Sequence, residues 1–177
     1  IMKNNIVCVF CPRMGMGDLI SFISLFKAIN EQTKKQLIIV TKPSTSGKHY
    51  LLDEPYCKDV IYLPERKRGL INSYSNIKDF TKLIGVIKKI DSKEVYILHS
   101  SKRYVLASLF AGIKNIYAPG LGFQNLFLKR NNSYYKNFLD KKLHPRLESE
   151  KLIKKVFHID NIPNNTFINK KKFNKNN

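Results

Sequence analysis

Carboxylates are scarce in this chain. Asp and Glu number 13 against 32 Lys and Arg, a formal net charge of +19 over 177 residues. An imbalance of that size points to an acidic partner: nucleic acid, anionic lipid or a phosphorylated glycan. Lysines far outnumber arginines and asparagine is very common, the mark of a compositional drift toward Lys and Asn in an AT-rich genome. Part of the charge is then solvated surface with no partner, and only basic residues beside a plausible site bear on function. Long hydrophobic runs are missing too, and no apolar stretch reaches the length a bilayer span needs. Ile1-Met2-Lys3 leads almost directly into a strand pattern, without the small-residue cleavage site of a secretory signal. Three cysteines, Cys8, Cys11 and Cys57, are too few for a disulfide framework and fit a reducing cytoplasm, the expected location. Cys8 and Cys11 have metal-like spacing, but residues three apart on a strand point to opposite faces, so both read as buried thiols. No His, Asp and Glu cluster has ligand spacing, and no metal is expected.

What is present is a core. Hydrophobic residues make up 43% of the chain, enough for one folded domain. "NIVCVFC" at 5–11 is a near-continuous apolar run, as in a strand covered on both faces. Residues 18–31 read as a helix with a wide apolar face. "QLIIVT" at 36–41, "KDVIYL" at 58–63, "EVYILH" at 94–99 and "KNIYA" at 114–118 are further strands. Between them fall a short helix in "STSGKHYLLDE", an amphipathic helix at 75–90 with Ile77, Phe80, Ile84 and Ile87 in register, and a serine-capped helix ending at Gly112. Beyond residue 129 the pattern weakens to one more helix in "HPRLESEKLIKKVFHI", with Leu147, Leu152, Ile153 and Val156 on its apolar side. Residues 1–160 are expected to form the domain and 161–177 a disordered basic tail. Alternating strands and helices predict an α/β, Rossmann-like open and mainly parallel sheet with helices on both faces. Ligands of such sheets bind beyond the carboxyl ends of the strands, so the loops at 12–18, 42–47, 64–73, 99–103 and 119–125 carry the functional question.

The first of these loops, "CPRMGMGD", is not a dinucleotide fingerprint. Gly15 and Gly17 are present, but Ile20 stands where the third glycine belongs and the second strand ends in Thr41-Lys42 instead of an acid. Nor is "STSGKHY" a Walker loop, since it lacks the first glycine and has His49 in place of the magnesium-binding hydroxyl. Asp18 has two readings. It can cap the following helix and suit its dipole, or it can act as a general base for a hydroxyl nucleophile, with the glycines letting an acceptor approach the backbone.

"GMGDLISFISLFKAI" resembles the opening of glycosyltransferase family 9, which includes the lipopolysaccharide heptosyltransferases. "LIIVTKPSTSGKHYLLDEPYCKDVIYLP", "KEVYILHSSKRYVLASLFAGIKNIYAPGLG" and "HPRLESEKLIKKVFHI" are similar to later segments of that family in the same order, over most of residues 5–160. The resemblance implies the N-terminal, acceptor-binding half of a two-domain GT-B enzyme, with the C-terminal nucleotide-sugar domain missing from this chain. It implies an inverting, metal-independent transferase that uses no cofactor beyond its donor substrate, ADP-heptose or a similar nucleotide sugar. Asp18 would be the catalytic base. The acceptor would be the anionic lipopolysaccharide core, with peripheral contact to the inner membrane through lysines. Candidate acceptor contacts are Arg13, Gly15, Gly17, Arg66, Lys67, Arg68, His99, Ser101 and Arg103. Each has a plainer reading: Arg13 a solvated turn residue, "ERKRG" a mobile charged loop, Ser100 or Ser101 a helix cap. Gly120 and Gly122 are read as shaping a turn. The competing class is a non-catalytic basic α/β module binding an acidic glycan or nucleic acid. No RNA-binding or helix-turn-helix signature supports nucleic acid, and most aromatics sit at core positions.

Overall fold

The computed structural model describes residues 5–63, 73–135 and 139–168. Its centre is a five-stranded sheet built from β1 (Ile6–Phe10), β2 (Gln36–Thr41), β3 (Cys57–Tyr62), β4 (Glu94–Ile97) and β5 (Asn115–Tyr117). The spatial order is β3-β2-β1-β4-β5, and every pairing between these strands is parallel. Val7 lies opposite Leu37 on one side of β1, and Val9 opposite Tyr96 on the other.

The apolar run of β1 follows from coverage of both sheet faces. Val7, Val9, Cys11, Leu37, Ile39 and Leu98 face one core cluster, where α1 (Met16–Ile20), α2 (Ile23–Thr33) and α6 (Pro145–Phe157) pack. Cys8, Phe10, Ile38, Val40, Val95 and Ile97 face the other, under α4 (Ser73–Ile90) and α5 (Lys102–Phe110). Cys8 and Cys11 thus sit in separate clusters, as a period of two requires. Burial pushes the Cys11 thiol up to about 12 and the Cys8 thiol also upward, as expected of thiols enclosed in a core.

Two helices bury less of their expected faces than the pattern implies. In α4, Leu83, Ile87 and Ile90 are buried, with Phe80 and Ile84 packed beside them, whereas Ile77 stands exposed. An 18-residue helix rises about 27 Å, well beyond strands of three to six residues, so it cannot lie against the sheet along its whole length. In α6, Leu152 and Ile153 are buried but Leu147 is exposed. The positions beside Leu147 hold buried Glu148 and Ser149 instead. Glu148 accepts from the Tyr135 hydroxyl at 2.9 Å and the Leu143 backbone N–H at 3.1 Å, a polar knot that ties the approach to the helix.

Residues 161–168, expected to begin a disordered tail, instead lie against the α2 side of the fold. Ile162 and Ile168 pack on the first cluster, and Lys27 Nζ donates to Asn165 at 3.3 Å and to the Phe167 carbonyl at 2.8 Å. The expectation for 169–177 lies outside the described residues. Among those described, no helix is long and apolar enough to cross a membrane.

Candidate functional site at the carboxyl edge

From β1 the chain builds outward through β2 and β3, then returns to the other side of β1 to lay down β4 and β5. The loops leaving β1 and β4 therefore diverge from neighbouring strands, which is where open α/β sheets receive their ligands. The expected site residues Arg13, Gly15, Gly17 and Asp18 follow β1, and His99, Ser101 and Arg103 follow β4.

Asp18 is not the cap of α1, although its place in the first turn does suit the helix dipole. Gly15 holds the N-cap position in extended conformation, and no side chain caps that end. Asp18 sits in the first turn of α1, exposed to solvent. Its backbone carbonyl accepts from Ser21 Oγ at 2.7 Å, and no hydrogen bond or ion pair of its carboxylate occurs among the described residues. Gly15 and Gly17 have open space where a Cβ would stand, and neither has a positive φ. The protein's own packing thus does not demand glycine at either position.

Arg13 does not behave as a solvated turn residue. It is half-buried, and its Nη2 donates to the carbonyl of Leu98, at the end of β4. Its guanidinium lies 4.3 Å above the Phe22 ring, a cation–π contact. Its Nε is buried and has no hydrogen-bond partner among the described residues. Arg13 therefore straps the β1 loop to the β4 loop across the switch point. Arg146, from α6, reaches the same ring at 5.9 Å. It donates through Nε to the Ser21 carbonyl at 2.6 Å, through Nη2 to Ser24 Oγ at 2.8 Å, and through Nη1 to Glu150 at 3.0 Å. Phe22 thus lies within cation–π reach of two guanidiniums.

β4 ends at Ile97, two residues earlier than expected, so His99 belongs to the loop. Its Nδ1 accepts from the Ser101 backbone N–H at 3.0 Å, leaving the ring proton on Nε2 as a donor. Burial first, then the charges of Arg13, Lys142 and Lys42, pull its pKa down to about 4. The imidazole is neutral at physiological pH. Ser101 is the N-cap of α5, its Oγ accepting from the Arg103 N–H at 3.3 Å. Arg103 is half-buried in the first turn. Arg66, Lys67 and Arg68 lie outside the described residues.

The loop after β5 joins the same edge. The 3-10 turn Gly122–Phe127 carries Gln124, which is fully buried. Gln124 donates through Nε2 to the carbonyls of His99 at 3.0 Å and Ser101 at 3.2 Å, and accepts from the Gly120 N–H at 2.8 Å. Gly120 (φ +84°) and Gly122 (φ +54°) both adopt left-handed backbone, and a Cβ on Gly120 would stand 2.6 Å from that of Ser133. Lys42, at the exit of β2, places Nζ 2.8 Å from Met14 Sδ. The loops after β1, β4 and β5 are thus tied together, and the charges of Lys42, at the exit of β2, and Lys142, in the segment before α6, act on His99. Sequence reasoning missed Lys42, Gln124, Lys142 and Arg146. Lys42 and Gln124 lie in loops already marked by topology; Lys142 and Arg146 act on residues far away in sequence, with no local signal. Among the described residues, no three His, Cys, Asp or Glu side chains form a group able to hold a metal.

No family model matches the sequence, and no curated protein matches it significantly. Solved structures do resemble it. A glycosyl transferase family 9 structure from Veillonella parvula superposes with TM-score 0.56 at 15% identity, over 86% of this chain and 41% of that one. The E. coli ADP-heptose lps heptosyltransferase II gives TM-score 0.48 at 18% identity, over 63% of this chain and 30% of the other. Acinetobacter baumannii MurG gives 0.48 at 16% identity, over 69% and 38%. At such identities the likeness is one of fold: a Rossmann-like α/β domain similar to those of GT-B glycosyltransferases. This chain spans less than half the length of each of these three proteins.

Proposed function

We propose that this domain is the acceptor-holding half of an inverting glycosyltransferase, with Asp18 as general base. The observation that carries the reading is the Asp18 carboxylate: exposed, with no hydrogen bond among the described residues and with Gly15 in the N-cap position, where the chain leaves β1 at the switch point. An acceptor sugar hydroxyl beside it gives its proton to the carboxylate. The hydroxyl oxygen forms a bond to the anomeric carbon of a nucleotide sugar from the opposite face. The bond from that carbon to the phosphate oxygen breaks, and the nucleoside diphosphate leaves with the electron pair. No residue in this scheme calls for a metal.

The acceptor's character follows from the neighbours. The positive charges of Arg13, Lys42 and Lys142 act on a neutral His99 whose Nε2–H can donate to a sugar oxygen. Such a field favours an anionic saccharide, and the lipopolysaccharide core is the acceptor we infer, with an ADP-heptose-like donor bound by a second domain. Gly15 and Gly17 leave room for the sugar against the backbone. Arg66, Lys67, Arg68, Ser101 and Arg103 complete the proposed acceptor contacts. The reaction would take place on the cytoplasmic side of the inner membrane.

Calorimetric titration of the chain with an anionic inner-core oligosaccharide should show binding. In a transferase that includes the donor domain, Asp18→Asn should retain the melting temperature and acceptor binding while turnover falls by roughly 10²- to 10⁴-fold. Wild-type turnover in that variant would remove Asp18 from the mechanism. Tight nucleic-acid binding that ignores substitutions at 12–18, with no saccharide binding, would favour a basic binding module.

A further inference from the structure

The 3-10 turn Gly122–Phe127 turns its large apolar side chains outward. Phe123 is 57% exposed, Leu126 69% and Phe127 40%. Three residues per turn place Phe123 and Leu126 on one face, while Gln124 points inward and is hooked to His99, Ser101 and Gly120. The hook prevents the turn from rolling its apolar face into the core. The result is a fixed apolar spur on the carboxyl edge of the sheet.

Its surroundings are cationic. No Asp or Glu occurs between Glu94 and Asp140. Lys102 is exposed and holds Nζ 4.9 Å from the Phe123 ring centroid. Lys129 and Arg130 follow the turn directly, both exposed. Apolar and aromatic side chains with Lys102 against them and Lys129 and Arg130 close in sequence, on a stretch of chain without carboxylates, match the boundary of an anionic bilayer: rings and aliphatic groups enter the headgroup–acyl border and the cations stay with the phosphates.

We propose that Phe123, Leu126 and Phe127 form a membrane-docking spur that inserts into an anionic lipid surface, with Lys102, Lys129 and Arg130 as its electrostatic collar. This goes beyond the lysine attachment implied by charge alone, because insertion places specific apolar side chains in the lipid. It does not depend on Asp18. If Asp18 is the base, docking through this edge presents the site to an acceptor anchored in the same leaflet.

The chain contains no tryptophan, so Phe123→Trp supplies a single reporter. With vesicles of phosphatidylglycerol and phosphatidylethanolamine, its emission should move to shorter wavelength and be quenched by lipids labelled in the upper acyl chain. Pure phosphatidylcholine vesicles should give little change. Leu126→Ser with Phe127→Ser should lower the partition coefficient by roughly tenfold or more. Lys129→Gln with Arg130→Gln should lower it by roughly fivefold per charge at low salt, and by much less at about 0.5 M salt. Thermal melting checks that the variants fold, and the tryptophan readout stands without them. Asp18→Asn should bind vesicles as wild type does, which separates this inference from the catalytic one. Unchanged emission on anionic vesicles overturns the proposal. So does vesicle binding that vanishes in salt and is equal in the serine variant, since charge alone then acts. An emission shift that follows protein concentration without lipid identifies a second copy as the occupant, and overturns it as well.

Discussion

At the scale of single residues, the edge site contrasts groups held fast with groups left free. The Asp18 carboxylate makes no hydrogen bond or ion pair among the described residues and the two glycines face open space, whereas His99 is constrained on several sides. Gly15→Ala and Gly17→Ala test the first half of this contrast. Each added Cβ meets open space, and alanine at position 17 gains up to about 1 kcal/mol of helix propensity. The melting temperature should hold or rise for Gly17→Ala and fall slightly for Gly15→Ala, since alanine is a poorer N-cap than glycine, while saccharide affinity measured by calorimetry falls in both because the methyl occupies the approach. Unchanged affinity would mean that the acceptor does not pass over these positions. His99 tests the second half. Its folded pKa of about 4 lies below the usual 6.5, so the unfolded chain binds the proton more readily. Its contribution to stability is complete above pH 6.5 and is lost as pH falls toward 4. The groups acting on it, Arg13, Lys142 and Lys42, are all cationic and add to the cost of protonation. Chemical denaturation at pH 7.5 and pH 4.5 should show wild type losing more stability than His99→Asn, by on the order of 1 kcal/mol or more. An equal loss would place the imidazole in a more open setting.

At the scale of elements, the informative case is the helix expected at 18–31. Its apolar face is clear in sequence, yet the structure divides it into α1 and α2 at Ser21–Phe22. No proline or glycine marks the break. Ser21 Oγ turns back to the Asp18 carbonyl, and the Ser21 carbonyl is taken by Arg146 from a helix 125 residues later. Periodicity reports which face is buried, but not which distant donor will claim a backbone carbonyl. The same limit moved the end of β4. The Leu98 N–H still pairs with Phe10, while its carbonyl goes to Arg13, so the strand stops before His99. Where neighbours in the sheet alone decide, as for β2 at Gln36–Thr41, pattern and structure agree at both ends. The catalytic candidate was legible because a glycine-flanked acid after a buried strand is a local signal. The Arg13–Phe22–Arg146 assembly was not, because it needs three elements folded together. Arg146→Leu removes donors from the Ser21 carbonyl and Ser24 Oγ and should destabilise the domain by about 2–3 kcal/mol. Hydrogen exchange should locate the added opening around the α1–α2 junction. Loss confined to the α6 terminus would show that Arg146 serves its own helix through Glu150 instead.

At the scale of the whole molecule, the charge imbalance makes a statement about stability that is separate from any partner. Among the described residues the ion pairs are Lys35–Glu94, Arg146–Glu150 and Lys154–Glu150, which engage two carboxylates. Against them stands a net charge of +19. Added salt weakens both attraction and repulsion, but the repulsive pairs are far more numerous and mostly exposed, where screening acts most. Raising sodium chloride from about 20 mM, where the Debye length is some 20 Å, to about 300 mM, where it is below 6 Å, should therefore raise the melting temperature by a few degrees. A protein held together chiefly by its ion pairs would move the other way. The experiment also separates the two origins of the charge. If lysines are spread evenly by compositional drift, chloride and a multivalent anion should stabilise alike at equal ionic strength. If Arg13, Lys42 and Lys142 form a built anion-binding site, inorganic phosphate should stabilise beyond its ionic strength and saturate, as mass action on a native-state site requires. The excess should shrink when Lys42 and Lys142 are replaced by glutamine. A phosphate effect that grows linearly and ignores those substitutions would return the whole charge to the solvated surface.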